Sequence, residues 1–455
     1  MSAAIVVLAA GQGKRMHSDL PKVMHCVAGK PMVEHVLDTA AQVASATPVV
    51  VYGHGGERLR EGLSHRVLSW VEQAEQLGTG HAVAQTLAFL PDHGLVLILY
   101  GDVPLLRAAS LASLLMAAQD SGFAVLTVAM TDPSGYGRIV RDANGNVARI
   151  VEHKDATAGE LAIGEINTGI MAIDATRLKR WIPRLGNANA QAEYYLTDCV
   201  EMAVAEGASV KGVLINDADE ALGVNNRRQL AEVERIYQRR RAGELLDAGV
   251  TIIDPARIDI RGELICGRDV TIDINVVFEG RVVLGDNVRV GANNVIADST
   301  LGAGVDVLPN CVIESATIGP ASRIGPFSRV RPETHLGRDT HIGNFVEIKK
   351  SDIGEGTKIN HLAYVGDAEI GRAVNIGAGT ITCNYDGAFK HKTIIEDDVF
   401  VGSDTQLVAP VRIGRGVTIG AGTTVTEDVE ADKLVISRVR QKTISGWQRP
   451  RKPKA

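Results

Sequence analysis

The sequence predicts an α/β chain in two parts, a mostly parallel sheet covered by helices and then a parallel β-helix. Three observations carry this expectation. Short apolar segments alternate with amphipathic ones over residues 1–228, and one charged helical stretch covers 229–248. Aliphatic residues then recur every six positions through most of 249–455. At 455 residues the chain exceeds one ordinary core, so more than one domain is expected.

In chain order, AAIVVLA, TPVVVYG, GLVLILYGD and FAVLTVAM read as strands buried on both faces, each bounded by Gly, Asp or Pro turns. Helical segments separate them, such as Met32 to Val43 and Thr79 to Phe89. That alternation points to a largely parallel sheet with helices on both sides. The N-terminal segment lacks a basic lead-in and reads as a first buried strand, not a signal peptide. No run of about 20 apolar residues is long enough to span a bilayer. In QLAEVERIYQRRRAGELLDA, Leu230, Val233, Ile236 and Tyr237 make a narrow apolar stripe, which predicts an exposed helical arm between domains.

The second part keeps a six-residue step: Leu284, Val290, Ile296, then Leu301, Val307, Ile313, then Ile318, Ile324, Val330, and so on to Val425. Such a repeat signals a parallel β-helix in which three short strands make one triangular coil. A narrow interior stacked with Val, Ile and Leu agrees with only 4% aromatic residues. The step breaks once, with no aliphatic beat between Ile376 and Ile395. A loop of about a dozen residues containing Cys383-Asn384-Tyr385-Asp386-Gly387 is expected to leave the coil there. Loops on a rigid scaffold are where function concentrates.

Composition narrows the partners. A net charge of −6 gives no reason to expect a nucleic-acid or membrane surface. The short basic tail Arg449 to Lys454 is either solvated or a contact for an anionic cofactor. Five scattered cysteines with no CxxC pair argue for reduced thiols in a cytoplasmic protein.

Two groups of residues suggest chemistry. Leu8-Ala9-Ala10-Gly11-Gln12-Gly13-Lys14-Arg15-Met16 follows the first strand, where a Gly-rich turn can aim backbone N–H groups at phosphates. It fits neither a Walker A loop nor a dinucleotide fingerprint. Arg15 and Lys22 add cations that serve phosphates or are merely solvated. Asp102 ends the strand LVLILYG, where open α/β sheets bind ligands, although a turn-forming Asp before Pro104 is the plain alternative.

Together these residues resemble the sugar-1-phosphate nucleotidyltransferases, whose signature is L-x-x-G-x-G-T-R-M followed by P-K. Lys14 departs from the Thr of that signature. The likeness continues in Gln73 to Ala82, Tyr100 to Pro104, Gly135 to Ile139, Val151 to Asp155, Glu165 to Gly169 and Gly223 to Arg227. With the β-helix, it extends over essentially the whole chain to the family of bacterial bifunctional N-acetylglucosamine-1-phosphate uridyltransferase/glucosamine-1-phosphate acetyltransferases. The resemblance implies a Rossmann-like nucleotidyltransferase domain over 1–228, a linker helix over 229–248 and a left-handed β-helix acetyltransferase domain over 249–455. It also implies a homotrimer with sites between subunits.

In the front domain the resemblance assigns Mg²⁺ to Asp102 and Asn225, and the triphosphate and departing pyrophosphate of UTP to Arg15 and Lys22. Leu8, Gly11, Gln73, Gly78 and Thr79 would hold the nucleotide. Gly137, Glu152 and Asn167 would hold N-acetylglucosamine 1-phosphate, with Tyr100 nearby. In the rear domain His361 matches the general base, and Arg331 and Lys349 match grips on the phosphate of glucosamine 1-phosphate. Tyr364, Asn375, Asn384 and Tyr385 match sugar-binding and base-supporting positions, the last two also counting as acetyl-CoA contacts. Ala378, Ser403, Ala421 and Arg438 match further acetyl-CoA contacts. Cys383 is not expected to carry the acetyl group. The competing expectation is a single-activity nucleotidyltransferase with a regulatory or structural β-helix.

Overall fold

The computed structural model describes residues 3–11, 13–53 and 55–450, so the basic tail from Arg451 onward lies outside the described residues. Two compact units divide between Gln238 and Arg239.

Consecutive residues of the first strand, Ala3–Ala9, feed opposite cores. Ile5 and Val7 join Leu37, Leu97 and Leu114 on one side, whereas Val6 and Leu8 join Ile98, Phe123 and Trp181 on the other. A strand buried on both faces cannot alternate apolar with polar, which is why AAIVVLA is uniformly apolar. The main path of the sheet runs Lys211–Ile215, Phe123–Ala129, Glu165–Asp174, Leu95–Tyr100, Ala3–Ala9, Val49–Tyr52, Ser69–Glu72. One member departs from the parallel scheme. Glu165–Asp174 lies antiparallel between Phe123–Ala129 and Leu95–Tyr100, and its register shifts between Asn167 and Met171. The hairpin of Arg138–Arg141 and Val147–Val151 joins the sheet through it.

Helix ends differ from the expected spans. The first helix stops at Ala41. The segment from Thr79 is helical only to Ala84 and then makes a 3-10 turn over Leu87–Phe89. Thr86 marks that change, its buried hydroxyl donating to the Val83 carbonyl at 2.7 Å. Helix Arg227–Asp247 is largely exposed or half-buried, and it buries the narrow stripe that the sequence marked. Val233 and Ile236 are buried with Met16, Val27, Met32 and Val224 of the first unit, and Ala242 and Leu245 belong to the core of the second.

In the second unit, eleven strands stack on one face, from Thr251–Ile252 to Leu434–Val435. The other faces form a 15-stranded sheet, in which the longer strands Ile258–Cys266, Val276–Leu284, Glu347–Ile353 and Tyr364–Ile370 take part. Each inward side chain sits over its counterpart one coil away, as Val290 over Val307, Ile324 over Ile342, and Ile342 over Ile359. The stack begins before Leu284, because Ile272 and Phe278 already pair with Val290 and Ile296.

The six-residue step does not lapse at Ile376. Thr382 takes the next inward position, 1% exposed and paired with Leu407. A search for aliphatic residues passes over it. The projecting loop therefore starts after Cys383, and the coil resumes at Thr393–Ile395. Thr382 Oγ1 accepts from the Gly366 N–H at 2.8 Å and donates to the Gly366 carbonyl at 3.1 Å, so the buried hydroxyl is satisfied. Thr382→Val keeps the shape but orphans that N–H, and is expected to lower the stability of the second unit by about 1–3 kcal/mol. Urea titration checks it; an unmoved midpoint would mean the N–H is satisfied elsewhere.

Candidate active sites

The first site forms where the strand ends of the sheet meet. Leu8 pairs with Tyr100, and the Gln73 N–H donates to the Tyr52 carbonyl at 2.7 Å, which aligns three strand termini. A cleft of about 240 Å³ lies there, lined by Leu8, Gly11, Lys22, Gln73, Gly78, Thr79, Tyr100 and Asp102. Lys22 Nζ donates to Asp102 Oδ2 at 2.5 Å and to Asn225 Oδ1 at 3.2 Å. Two oxygens thus converge on one cation. That donor set suits a hard divalent ion that completes its shell with water and phosphate. Among the described residues no group of three or more His, Cys, Asp or Glu is gathered for a metal.

The phosphate-loop glycines answer to Lys22. A Cβ at Gly13, whose φ is +61°, would lie 2.7 Å from Lys22 Cβ. Arg15 stands exposed on the 3-10 turn Lys14–Met16 that ends the loop. Gln73 is buried, its side-chain amide donating to the Gly78 carbonyl at 3.1 Å.

Gly137, Glu152 and Asn167 come together as expected. A Cβ on Gly137 would lie 3.3 Å from Glu152 Oε1, and the Asn167 N–H donates to the Gly137 carbonyl at 2.8 Å. Burial pushes the Glu152 carboxyl above its ordinary value, partly opposed by a hydrogen bond from the Thr197 hydroxyl at 3.3 Å. Tyr100 is raised as well, by burial and then by the Glu152 and Asp102 charges, so it stays a neutral phenol.

Asp198, one of the acids around Glu152, has its carboxyl pushed up to about 6 by burial, then by Glu201 and Asp155. Between about pH 4 and that value the native state keeps a proton that the unfolded chain has lost. Its contribution to stability therefore falls as pH rises through the window and stays unfavourable above it. Asp198→Asn is expected to raise the melting temperature of the first unit near pH 7.5 and to change little near pH 4. Equal shifts at both would assign the gain to another cause.

The second site follows from stacked coil corners. Backbone hydrogen bonds link Leu362 N to Asn344 O at 3.1 Å, Gly379 N to His361 O at 3.4 Å, Asp404 N to Ala378 O at 2.7 Å and Gly422 N to Ser403 O at 2.8 Å. Arg438 Nε then donates to the Ala421 carbonyl at 3.0 Å. His361, Ala378, Ser403, Ala421 and Arg438 thus descend one corner of successive coils. His361 is exposed, and its Nδ1 lies 3.1 Å from Asn344 Oδ1. A carbonyl oxygen there keeps the proton on Nδ1 and leaves the Nε2 lone pair open. Asn344 escaped the sequence reading because it is a short polar residue at a turn, 17 positions away.

Beyond strand Tyr364–Ile370's first residues lies the neighbouring corner. Arg331 donates to Glu347 Oε1 at 2.7 Å. Lys349 is drawn below its ordinary value, first by its contact with Lys390 and also by the Arg331 charge. Lys390 belongs to the projecting loop and was not anticipated; a lysine in a loop carries no sign of what it will face. Asn384 is buried and lies 3.5 Å from the Tyr364 hydroxyl. Asn375 pairs with Lys358 on the strand before the His361 corner.

Tyr385 is exposed in the projecting loop. Its hydroxyl donates to the Gly387 carbonyl at 2.6 Å, inside the loop. The loop leaves from the far end of the Tyr364 face, roughly 10–13 Å of strand from the corner that carries His361. Cys383 lies at that end too, and burial raises its thiol, which disfavours a nucleophilic thiolate.

Residues 5–246 match the MobA-like NTP transferase domain, 260–342 the GMPPB C-terminal domain and 392–427 the bacterial transferase hexapeptide repeats. Hexapeptide repeats agree with the left-handed form of the β-helix. The chain is 60% identical over 446 residues to a protein of Cupriavidus taiwanensis named "Bifunctional protein GlmU", with 98% of each chain covered. Proteins of the same name are 60% identical in Dechloromonas aromatica, over 99% of both chains, and 56% identical in Methylococcus capsulatus, over 99% of this chain and 98% of that one. Among the described residues no helix is long and apolar enough to cross a membrane.

Proposed function

The chain belongs to the bifunctional GlmU family, and on that premise we propose how its two sites divide the synthesis of UDP-N-acetylglucosamine. The rear unit moves acetyl from acetyl-CoA to the amine of glucosamine 1-phosphate. The front unit joins the resulting N-acetylglucosamine 1-phosphate to UTP and releases pyrophosphate. The observation that carries the two-site reading is His361 itself, exposed at a coil corner with Nδ1 held 3.1 Å from Asn344 Oδ1 and in line with Ala378, Ser403, Ala421 and Arg438.

In the rear site, His361 Nε2 takes a proton from the sugar amine as its nitrogen attacks the thioester carbon, and coenzyme A leaves as the thiol. Arg331 and Lys349, joined by Lys390, hold the sugar phosphate. Tyr364, Asn375, Asn384 and Tyr385 contact sugar or coenzyme. The small corner residues Ala378, Ser403 and Ala421 let the pantetheine arm lie against the coils, and Arg438 meets a coenzyme phosphate.

In the front site, two anions must meet in line, so neutralisation and positioning dominate. Leu8, Gly11, Gln73, Gly78 and Thr79 seat the nucleotide, whereas Gly137, Glu152, Asn167 and Tyr100 seat the sugar. Arg15 and Lys22 neutralise the triphosphate and the departing pyrophosphate. Asp102 and Asn225 would hold Mg²⁺, which when bound polarises phosphate oxygens; Lys22 then swings from them to the phosphates. The chain is read as a cytoplasmic homotrimer, as the family resemblance implies, with neighbouring copies completing the rear site.

Supplying glucosamine 1-phosphate, acetyl-CoA and UTP together tests the whole reading. Free thiol and pyrophosphate should appear in equal amounts, thiol first. Pyrophosphate release from N-acetylglucosamine 1-phosphate with no thiol from glucosamine 1-phosphate would favour a single-activity enzyme.

A further inference from the structure

One corner of the coils repeats a left-handed residue, with φ of 44° at Asp298, 45° at Ser315, 60° at Glu333, 46° at Lys350 and 49° at Asp367. The first four are exposed, as corner residues of a prism should be. Asp367 is only 8% exposed. Its Oδ2 accepts from Asn384 Nδ2 at 2.5 Å, and Asn384 opens the projecting loop. A carboxylate sunk this far is costly unless its oxygens are used. The chain thus keeps an acid buried at the one corner where the loop begins.

We propose that Asp367 is a positioning residue that turns Asn384 so that its carbonyl oxygen faces the amino sugar. The geometry leaves little choice. Asp367 Oδ2 takes one Nδ2 hydrogen of the amide, and the second is directed at the Tyr364 hydroxyl, 3.5 Å away. Oδ1 is then left as an acceptor, and among the described residues nothing donates to it. An acceptor at that point takes an O–H or N–H of the sugar and repels a phosphate. The phosphate is sent instead to Lys349, Lys390 and Arg331, whose charges crowd the same corner. Asp367 would thereby set which end of glucosamine 1-phosphate points where. This inference rests on the acetyl-transfer reading of the rear site.

The test is Asp367→Asn in the full-length enzyme, alone and combined with Asn384→Ala. An amide at 367 both donates and accepts, so Asn384 is free to turn over. KM for glucosamine 1-phosphate should rise about tenfold, the worth of one hydrogen bond. A cooperative urea transition of the second unit reports folding, and uridylyl transfer should match the parent. Asn384→Ala should raise the same KM, and the double variant should be no worse than Asn384→Ala alone. Asp367→Ala carries the same expectation should the asparagine variant fail the folding check. An unchanged sugar KM in D367N, or multiplying effects in the double variant, would overturn the positioning role. A parent enzyme that releases no thiol from acetyl-CoA with glucosamine 1-phosphate would overturn the acetyl-transfer reading itself.

Discussion

His361→Ala is expected to lower acetyl transfer to glucosamine 1-phosphate by roughly 10²–10⁴-fold while uridylyl transfer continues. The size follows from the chemistry. An amine attacks a thioester only with its lone pair free, and the imidazole in the corner column has an open ring nitrogen to take the proton. Asn344 prepares it by occupying Nδ1 at 3.1 Å. Thiol release from acetyl-CoA and pyrophosphate release from UTP, measured on one preparation, separate a lost base from a lost fold. Equal loss of both would withdraw the assignment, as would near-normal acetyl transfer.

Asp102→Ala should reduce Mg²⁺-dependent pyrophosphate release to background and spare acetyl transfer. Asp102 lies two residues beyond the end of strand Leu95–Tyr100, whose residues Val96 to Leu99 are fully buried, and its side chain lines the cleft. Its removal takes away the carboxylate that pairs with Lys22 at 2.5 Å and leaves the Asn225 amide oxygen at 3.2 Å. Titrating magnesium against the variant is the check. A parent-like dependence on the ion would rule out a ligand role for Asp102.

The strands of the first unit were legible because burial on both faces writes an uninterrupted apolar run. Glu165–Asp174 was not, since Asn167, Thr168 and Gly169 interrupt its apolar residues and no local pattern encodes strand direction. The front cluster joins Lys22 to residues 80 and 203 positions away, a meeting that only the family motifs foretold. In the second unit the repeat announced the coils, and the missing aliphatic beat announced the loop. Thr382 blurred the loop's start because a hydrogen-bonded hydroxyl can fill an inward place as well as a methyl group. Asp367 was hidden for a different reason: an Asp at a turn looks like surface, and its burial depends on a residue 17 positions later.

Most neighbouring coils pair at a spacing of 17 or 18 residues, as in Ile342 with Ile359 and Ile318 with Leu336, so each storey leans only on those directly above and below. Such a tower loosens from its ends, and amide hydrogens near Leu434–Val435 should exchange well before those of Ile342–Ile359. His361 then sits in the slow-exchanging midsection and Arg438 at the fraying tip. Coenzyme that spans both would act as a brace, slowing exchange at the tip while leaving the midsection as it was.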